Sequence, residues 1–173
     1  GHAAGVLEPL TPAPMMVLQR DIERLLSLVP VSPDMSVERQ EYNRRHADDH
    51  DHAALFNNAF FALPSLPDGN YWRAAAAGAT EERLARKIEQ FASRGALVSY
   101  DLEPFNPEDW TILHYGLGHL PERHDRLADR VDEASIRQSL SNLQGTIARM
   151  AASMPPHDTY MAGFVRFLKQ RQG

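Results

Sequence analysis

Ser-Pro-Asp-Met-Ser-Val-Glu-Arg-Gln-Glu-Tyr-Asn-Arg-Arg-His-Ala-Asp-Asp-His-Asp-His-Ala-Ala-Leu-Phe-Asn-Asn-Ala-Phe-Phe-Ala-Leu, residues 32–63, is the stretch whose reading sets the fold class. Met35, Tyr42, His46, Asp49, Ala53, Phe56 and Phe60 recur along it at spacings that place them on one stripe of an α-helix. Ser32-Pro33-Asp34 offers a cap and an early proline at its start, and the loop residues from Leu63 to Asn70 close it. The helix is charged in its middle and apolar and aromatic from Ala53 onward.

The same period runs outward in both directions. Upstream, Pro12 and Pro14 suit a helix entry, Met15, Leu18, Ile22, Leu25, Leu26 and Val29 form the stripe, and Pro30 closes it. Downstream, Tyr71 to Ala77 reads as a short helix ended by Gly78. Thr80 is placed to cap a helix carrying Leu84, Ile88 and Phe91, with Gly95 as its stop. Asn106-Pro107-Glu108-Asp109 is a strong helix start, with Trp110, Leu113 and Leu117 behind it and Pro121 at its end. Asp132 caps a last long stripe of Ile136, Leu140, Leu143, Ile147, Met150 and Met154, and Thr159 to Lys169 makes a terminal helix. Leu97 to Tyr100 is the one strand candidate. The expected class is mainly α with at most one short strand, and each apolar stripe is expected to face a core.

With 173 residues, 43% of them hydrophobic, the chain can bury a sizeable core. Its net charge of −5, with Lys and Arg dispersed among Asp and Glu, gives no basis for a nucleic-acid or anionic-membrane partner. No apolar run reaches the ~20 residues that cross a bilayer. The lack of cysteine removes disulfides and thiolate metal sites, and it fits a cytoplasmic protein. His46, Asp48, Asp49, His50, Asp51 and His52 are the densest group of metal-ligating residue types. His46 and His50 share a helical face and could hold one Zn²⁺, but a third ligand would have to come from Asp49 or elsewhere. The sequence therefore assigns no metal, and the run reads as a solvated charged face.

Gly1-His2-Ala3-Ala4-Gly5-Val6-Leu7-Glu8-Pro9-Leu10 resembles a segment of the flavin-dependent tryptophan halogenases that leaves a strand beside the flavin and enters a helix. The likeness continues through Leu18 to Leu26, Tyr42-Asn43-Arg44, Phe56 to Trp72, Lys87 to Phe91 with Arg94-Gly95, and Trp110, Gly116, Gly118 and Pro121. It implies that residues 1–10 end a flavin-side loop and residues 11–173 form a helical substrate-side domain. Gly1, Ala3, Ala4, Gly5 and Pro9 would then lie against FAD. Phe60, Phe61, Tyr71 and Trp72 would line a pocket for an indole such as tryptophan. The same four rings also read as plain core at a helix end and the start of the next.

The resemblance breaks where the chemistry would be. Thr11 stands where the family places its catalytic glutamate, and no catalytic residue is intact. No Gly-x-Gly-x-x-Gly phosphate motif occurs, and the family's lysine lies upstream of the part represented here. The expectation is the C-terminal portion of such a halogenase, with FAD implied by the family but not bound by this chain alone, and with no activity of its own. A flavin-domain protein acting in trans, or self-association into a homo-oligomer, would complete it. The alternative is a stand-alone, non-catalytic helical module that binds an indole-like ligand or a protein partner. Residues before Thr11 are expected to be weakly anchored or held by another copy of the chain, since a flavin and a sheet would normally hold them.

Overall fold

The computed structural model describes residues 5–8, 10–29, 32–63, 68–78 and 81–171. The chain divides into two compact units, residues 1–125 and residues 126–173. The first holds α1 (Ala13–Ser27), α2 (Ser36–Ala62), α3 (Asn70–Gly78), α4 (Glu82–Arg94) and α5 (Pro107–Gly116). The second holds a 3₁₀ turn at Arg126–Arg130, then α6 (Glu133–Ser153) and α7 (His157–Arg171). The class is mainly α, as the periodicity predicts.

Local chemistry explains most boundaries. Asp34 accepts the Ser36 N–H at 3.1 Å and so starts α2, which leaves Pro33 just outside the helix. Gly95 ends α4 in the left-handed conformation at φ 73°, a position that a side chain occupies only with strain. The Asp109 carboxylate accepts the Asn106 N–H at 2.8 Å, fixing the start of α5. That helix ends at Gly116, ahead of Pro121, because the chain turns at Leu117-Gly118. Asp132 accepts the Ser135 N–H at 3.0 Å and caps α6. Pro30 and Thr80, expected to close one helix and open another, lie outside the described residues.

Leu97 to Tyr100 forms no strand. A lone strand has no ladder to satisfy its backbone, and here side chains take that role. Lys87 Nζ donates to the Val98 carbonyl, and the Tyr100 N–H donates to Glu103 Oε2 at 2.9 Å.

The main core of the first unit lies where the aromatic end of α2 meets α4 and α5. Leu55, Phe56, Ala59, Leu63, Leu84, Trp110 and Leu113 are buried together there. Phe91 and His114 stack beside it with ring centroids 3.9 Å apart. His114 is fully buried and its Nδ1 lies 2.8 Å from His119 Nδ1. Burial, then the neighbouring His119 and Lys87, hold the His114 pKa down at about 4. An unfolded histidine titrates near 6.5, so the unfolded chain takes up this proton first as pH falls. Stability is therefore unaffected above about 6.5 and is lost progressively down to about pH 4, by about 3 kcal/mol. We expect His114→Phe to flatten that part of the stability–pH curve, measured by urea unfolding at stepped pH. Identical acid slopes for the two proteins would contradict the assignment.

The stripe on α1 departs from expectation. Met15, Ile22, Leu25, Leu26 and Val29 are exposed, Leu26 at 70%, while Ala13, Val17, Asp21 and Arg24 face inward. The reason lies in the partner surface. α1 packs against the charged middle of α2, and a buried ionic network fits that surface where leucines would not. In the second unit no described side chain of α6 or α7 is buried, and Leu140, Leu143, Ile147 and Met150 are exposed. Periodicity locates an apolar face but does not say what covers it.

Candidate functional site

Thr11 sits at the entry to α1, and its surroundings are well defined. Its hydroxyl donates to Asn57 Oδ1 at 3.2 Å and accepts the Ala13 N–H at 3.2 Å. Pro12 and Pro14 have no N–H, so Thr11 satisfies one of the few donors in this first turn. Asn57, buried on α2, donates in turn to the Glu8 carbonyl at 2.7 Å. Leu7 packs on Ala13, Val17 and Ala53. The segment before Thr11 is thus held by its own unit at Leu7 and Glu8, against the expectation of weak anchoring. A neutral hydroxyl held between two protein groups does no acid–base work near neutral pH.

Of the residues assigned to FAD by resemblance, Gly1, Ala3, Ala4 and Pro9 lie outside the described residues, and Gly5 is half-buried. A Cβ on Gly5 would come within 2.7 Å of the His50 ring, so a glycine lets this segment cross α2 closely. The start of α1, to which this segment leads, does not fit a flavin diphosphate. Such a group is cradled by free N–H groups at a helix start. The start of α1 has two prolines, and its Ala13 N–H is taken by Thr11.

The structure brings three of the four aromatic candidates together. Trp72 lies 6.0 Å from Phe61 and 5.2 Å from Tyr71, centroid to centroid. Phe61 is buried and Tyr71 is exposed. Phe60 belongs elsewhere: it meets Phe56 edge-on at 6.0 Å and lines an open apolar groove of about 390 Å³ with Ile112, Leu113 and Leu117. Adjacent helical residues diverge by about 100°, so Phe60 and Phe61 cannot face one point. Leu113 and Leu117 belong to a stripe expected to face the core, Ile112 lies outside that stripe, and no local signal marks the three as a groove wall.

The charged middle of α2 is also more than a solvated face. Arg24, buried, donates to Asp21 Oδ1 at 2.9 Å and to Asp49 Oδ2, and Arg20 reaches Asp49 at 3.0 Å. His46 Nδ1 lies 2.9 Å from Asp21 Oδ2. The His46 and His50 rings are 4.4 Å apart. Burial, then the neighbouring His46, pushes His50 below its ordinary pKa. Among the described residues, Asp21, His46 and His50 are the one group with metal-ligand chemistry in close array. Asp21 comes from α1, so its place beside His46 and His50 is not visible in the local sequence.

Comparison with known proteins places this architecture. The family model for tryptophan halogenase matches residues 1–133. BrvH, a flavin-dependent halogenase from Brevundimonas sp. BAL3, is similar at 31% identity and a TM-score of 0.74, over 92% of this chain and 32% of that one. A flavin-dependent halogenase from Xanthomonas campestris is similar at 28% identity and a TM-score of 0.78, over 91% of this chain and 32% of that one. The tryptophan 6-halogenase SttH from Streptomyces toxytricini shares the fold, with a TM-score of 0.74 at 20% identity, over 91% of this chain and 32% of that one. The chain thus spans about a third of the length of these solved relatives. No described helix is long and apolar enough to cross a membrane. A match across most of the chain, joined to the shared helical architecture, establishes that the chain belongs to the tryptophan halogenase family.

Proposed function

We propose that this chain supplies the C-terminal, substrate-side helical part of a flavin-dependent halogenase and does not halogenate unaided. One observation carries the reading: the periodic apolar face of α1, from Met15 to Val29, is exposed although its spacing is that of a packed surface. The relatives are about three times as long, and a flavin-bearing part of the kind they contain is the natural cover for that face. FAD bound in that part would supply the oxidising chemistry. This chain's role is to present its aromatic side chains to an indole substrate and to pack against the flavin part. Thr11 gives it no carboxylate at the position where the family reacts. The cysteine-free composition fits a cytoplasmic setting.

The test pairs the chain with the flavin-binding portion of the Brevundimonas halogenase. We expect the chain alone, and Thr11→Glu alone, to yield no halogenated tryptophan above the free-flavin control when given reduced FAD, oxygen and halide. We expect co-elution with the flavin portion in size exclusion, lost in Leu25→Glu/Leu26→Glu. Product from the chain alone, a yellow preparation with stoichiometric flavin, or a stable homodimer that ignores the flavin portion would each overturn the reading.

The groove beside Phe60 favours a second reading, a stand-alone module for an indole-like ligand. Its volume and apolar lining are those of a small-molecule site. Trp110 meets the groove residue Phe56 edge-on at 4.9 Å, so titration with indole to about 1 mM, the weak end of useful affinity, should quench tryptophan fluorescence. A flat titration removes this reading.

A further inference from the structure

We propose that Asp21, His46 and His50 form a divalent metal site of the zinc type that ties α1 to α2. One ligand atom from each residue, two imidazole nitrogens and a carboxylate oxygen, lies within 4.8 Å of the others. Ligands about 2.0 Å from a tetrahedral zinc stand roughly 3.3 Å apart, so a small turn of the imidazoles closes the set. The donors match the ion: imidazole with carboxylate suits Zn²⁺ and its first-row neighbours, whereas an all-oxygen set would suit Mg²⁺ or Ca²⁺. His46 and His50 share one face of α2, four residues apart, and Asp21 arrives from the facing helix.

The surroundings are those of a supported site. Arg24 donates to Asp21 Oδ1 at 2.9 Å, which orients the carboxylate, and His46 Nδ1 lies 3.0 Å and 2.9 Å from its Oδ1 and Oδ2. Tyr42 lies parallel to His46 with ring centroids 6.2 Å apart. A cavity of about 20 Å³ between Gly5, Leu7 and Val17 opens onto both Asp21 and His50, room for about one water as a fourth ligand. Arg20 and Arg24 balance Asp21 and Asp49, so the bound ion adds positive charge and the affinity is moderate. The ion's role is to clasp the two helices and, through the Gly5 contact on His50, the segment that leads to Thr11. None of this depends on the halogenase reading.

The test is equilibrium dialysis of Zn²⁺ and titration of Co²⁺ with the full, untagged chain. We expect one ion per chain, a tetrahedral Co²⁺ absorption band, and a rise in Tm of about 5–10 °C at a hundredfold excess over Kd. His50→Gln, which leaves the Asp21–Arg24–Asp49 network whole, should weaken binding about tenfold or more with an unchanged circular dichroism spectrum. Asp21→Asn should weaken it similarly. His119→Gln, which removes half of the other close histidine pair, should leave it unchanged. No saturable uptake, or full uptake retained in His50→Gln, would overturn the proposal. Uptake lost in His119→Gln instead would do the same.

Discussion

Glu103→Ala should lower the unfolding free energy by about 3–5 kcal/mol, among the largest effects of any single substitution in the chain. The Glu103 side chain is buried, and both its oxygens are in use. Oε2 accepts from Lys87 Nζ at 3.0 Å and from the Tyr100 N–H at 2.9 Å, and Oε1 accepts from Trp110 Nε1 at 2.6 Å. Truncation leaves three donors short of an acceptor, and one of them is a buried ammonium. The rings of Tyr100 and Trp110, with centroids 4.7 Å and 4.5 Å from Nζ, cushion that charge but do not replace the carboxylate. Burial already pulls the Lys87 pKa below its ordinary value, and loss of Glu103 pulls it further. The neutral amine therefore restores part of the loss as pH rises toward about 10. Urea unfolding followed by tryptophan fluorescence at neutral and alkaline pH measures both effects. A variant within 1 kcal/mol of the parent, or one no better off at alkaline pH, would show that the pair does not hold the core.

Phe56→Ala should cost about 3–5 kcal/mol by a different route, loss of packing rather than of a charge partner. Phe56 stacks on Phe105 at 4.0 Å and meets Trp110 and Phe60 edge-on at 4.9 Å and 6.0 Å. It joins α2 to the loop before α5 and to α5 itself. The groove beside it lets the structure relax toward solvent, so the cost should fall at the lower end of the range. Leu55→Ala, in an enclosed position, provides the comparison. Phe56→Leu should recover more than half of the loss. A combined Phe56→Ala/Glu103→Ala variant should fall short of the sum, since both act on Trp110. Strict additivity would mean that the two sides of Trp110 are independent.

Helix starts and stops were the most legible features, because they depend on a few neighbouring residues. The Asn106 to Asp109 box, the Asp132 cap and the Gly95 stop needed no tertiary information. The Leu97 to Tyr100 strand failed because its propensity had no partner strand to act with. The family likeness was readable from blocks spread along the chain. The aromatic site was readable only as composition: the four rings could be named, but the helical angle between Phe60 and Phe61 divides them.

What the sequence determined by itself is the mainly helical class, most helix boundaries, the family, and the neutral residue at position 11. These follow from short-range rules of period, capping and residue identity. Tertiary structure alone decided which faces are buried. The apolar stripe of α1 points outward because α2 offers that helix Asp49 and His46, so the buried seam became Asp21 and Arg24. Likewise His46 and His50 lacked a third ligand in sequence until α1 brought Asp21 beside them. Burial and ligation are properties of pairs of surfaces, and a stripe on one helix specifies only half of each pair.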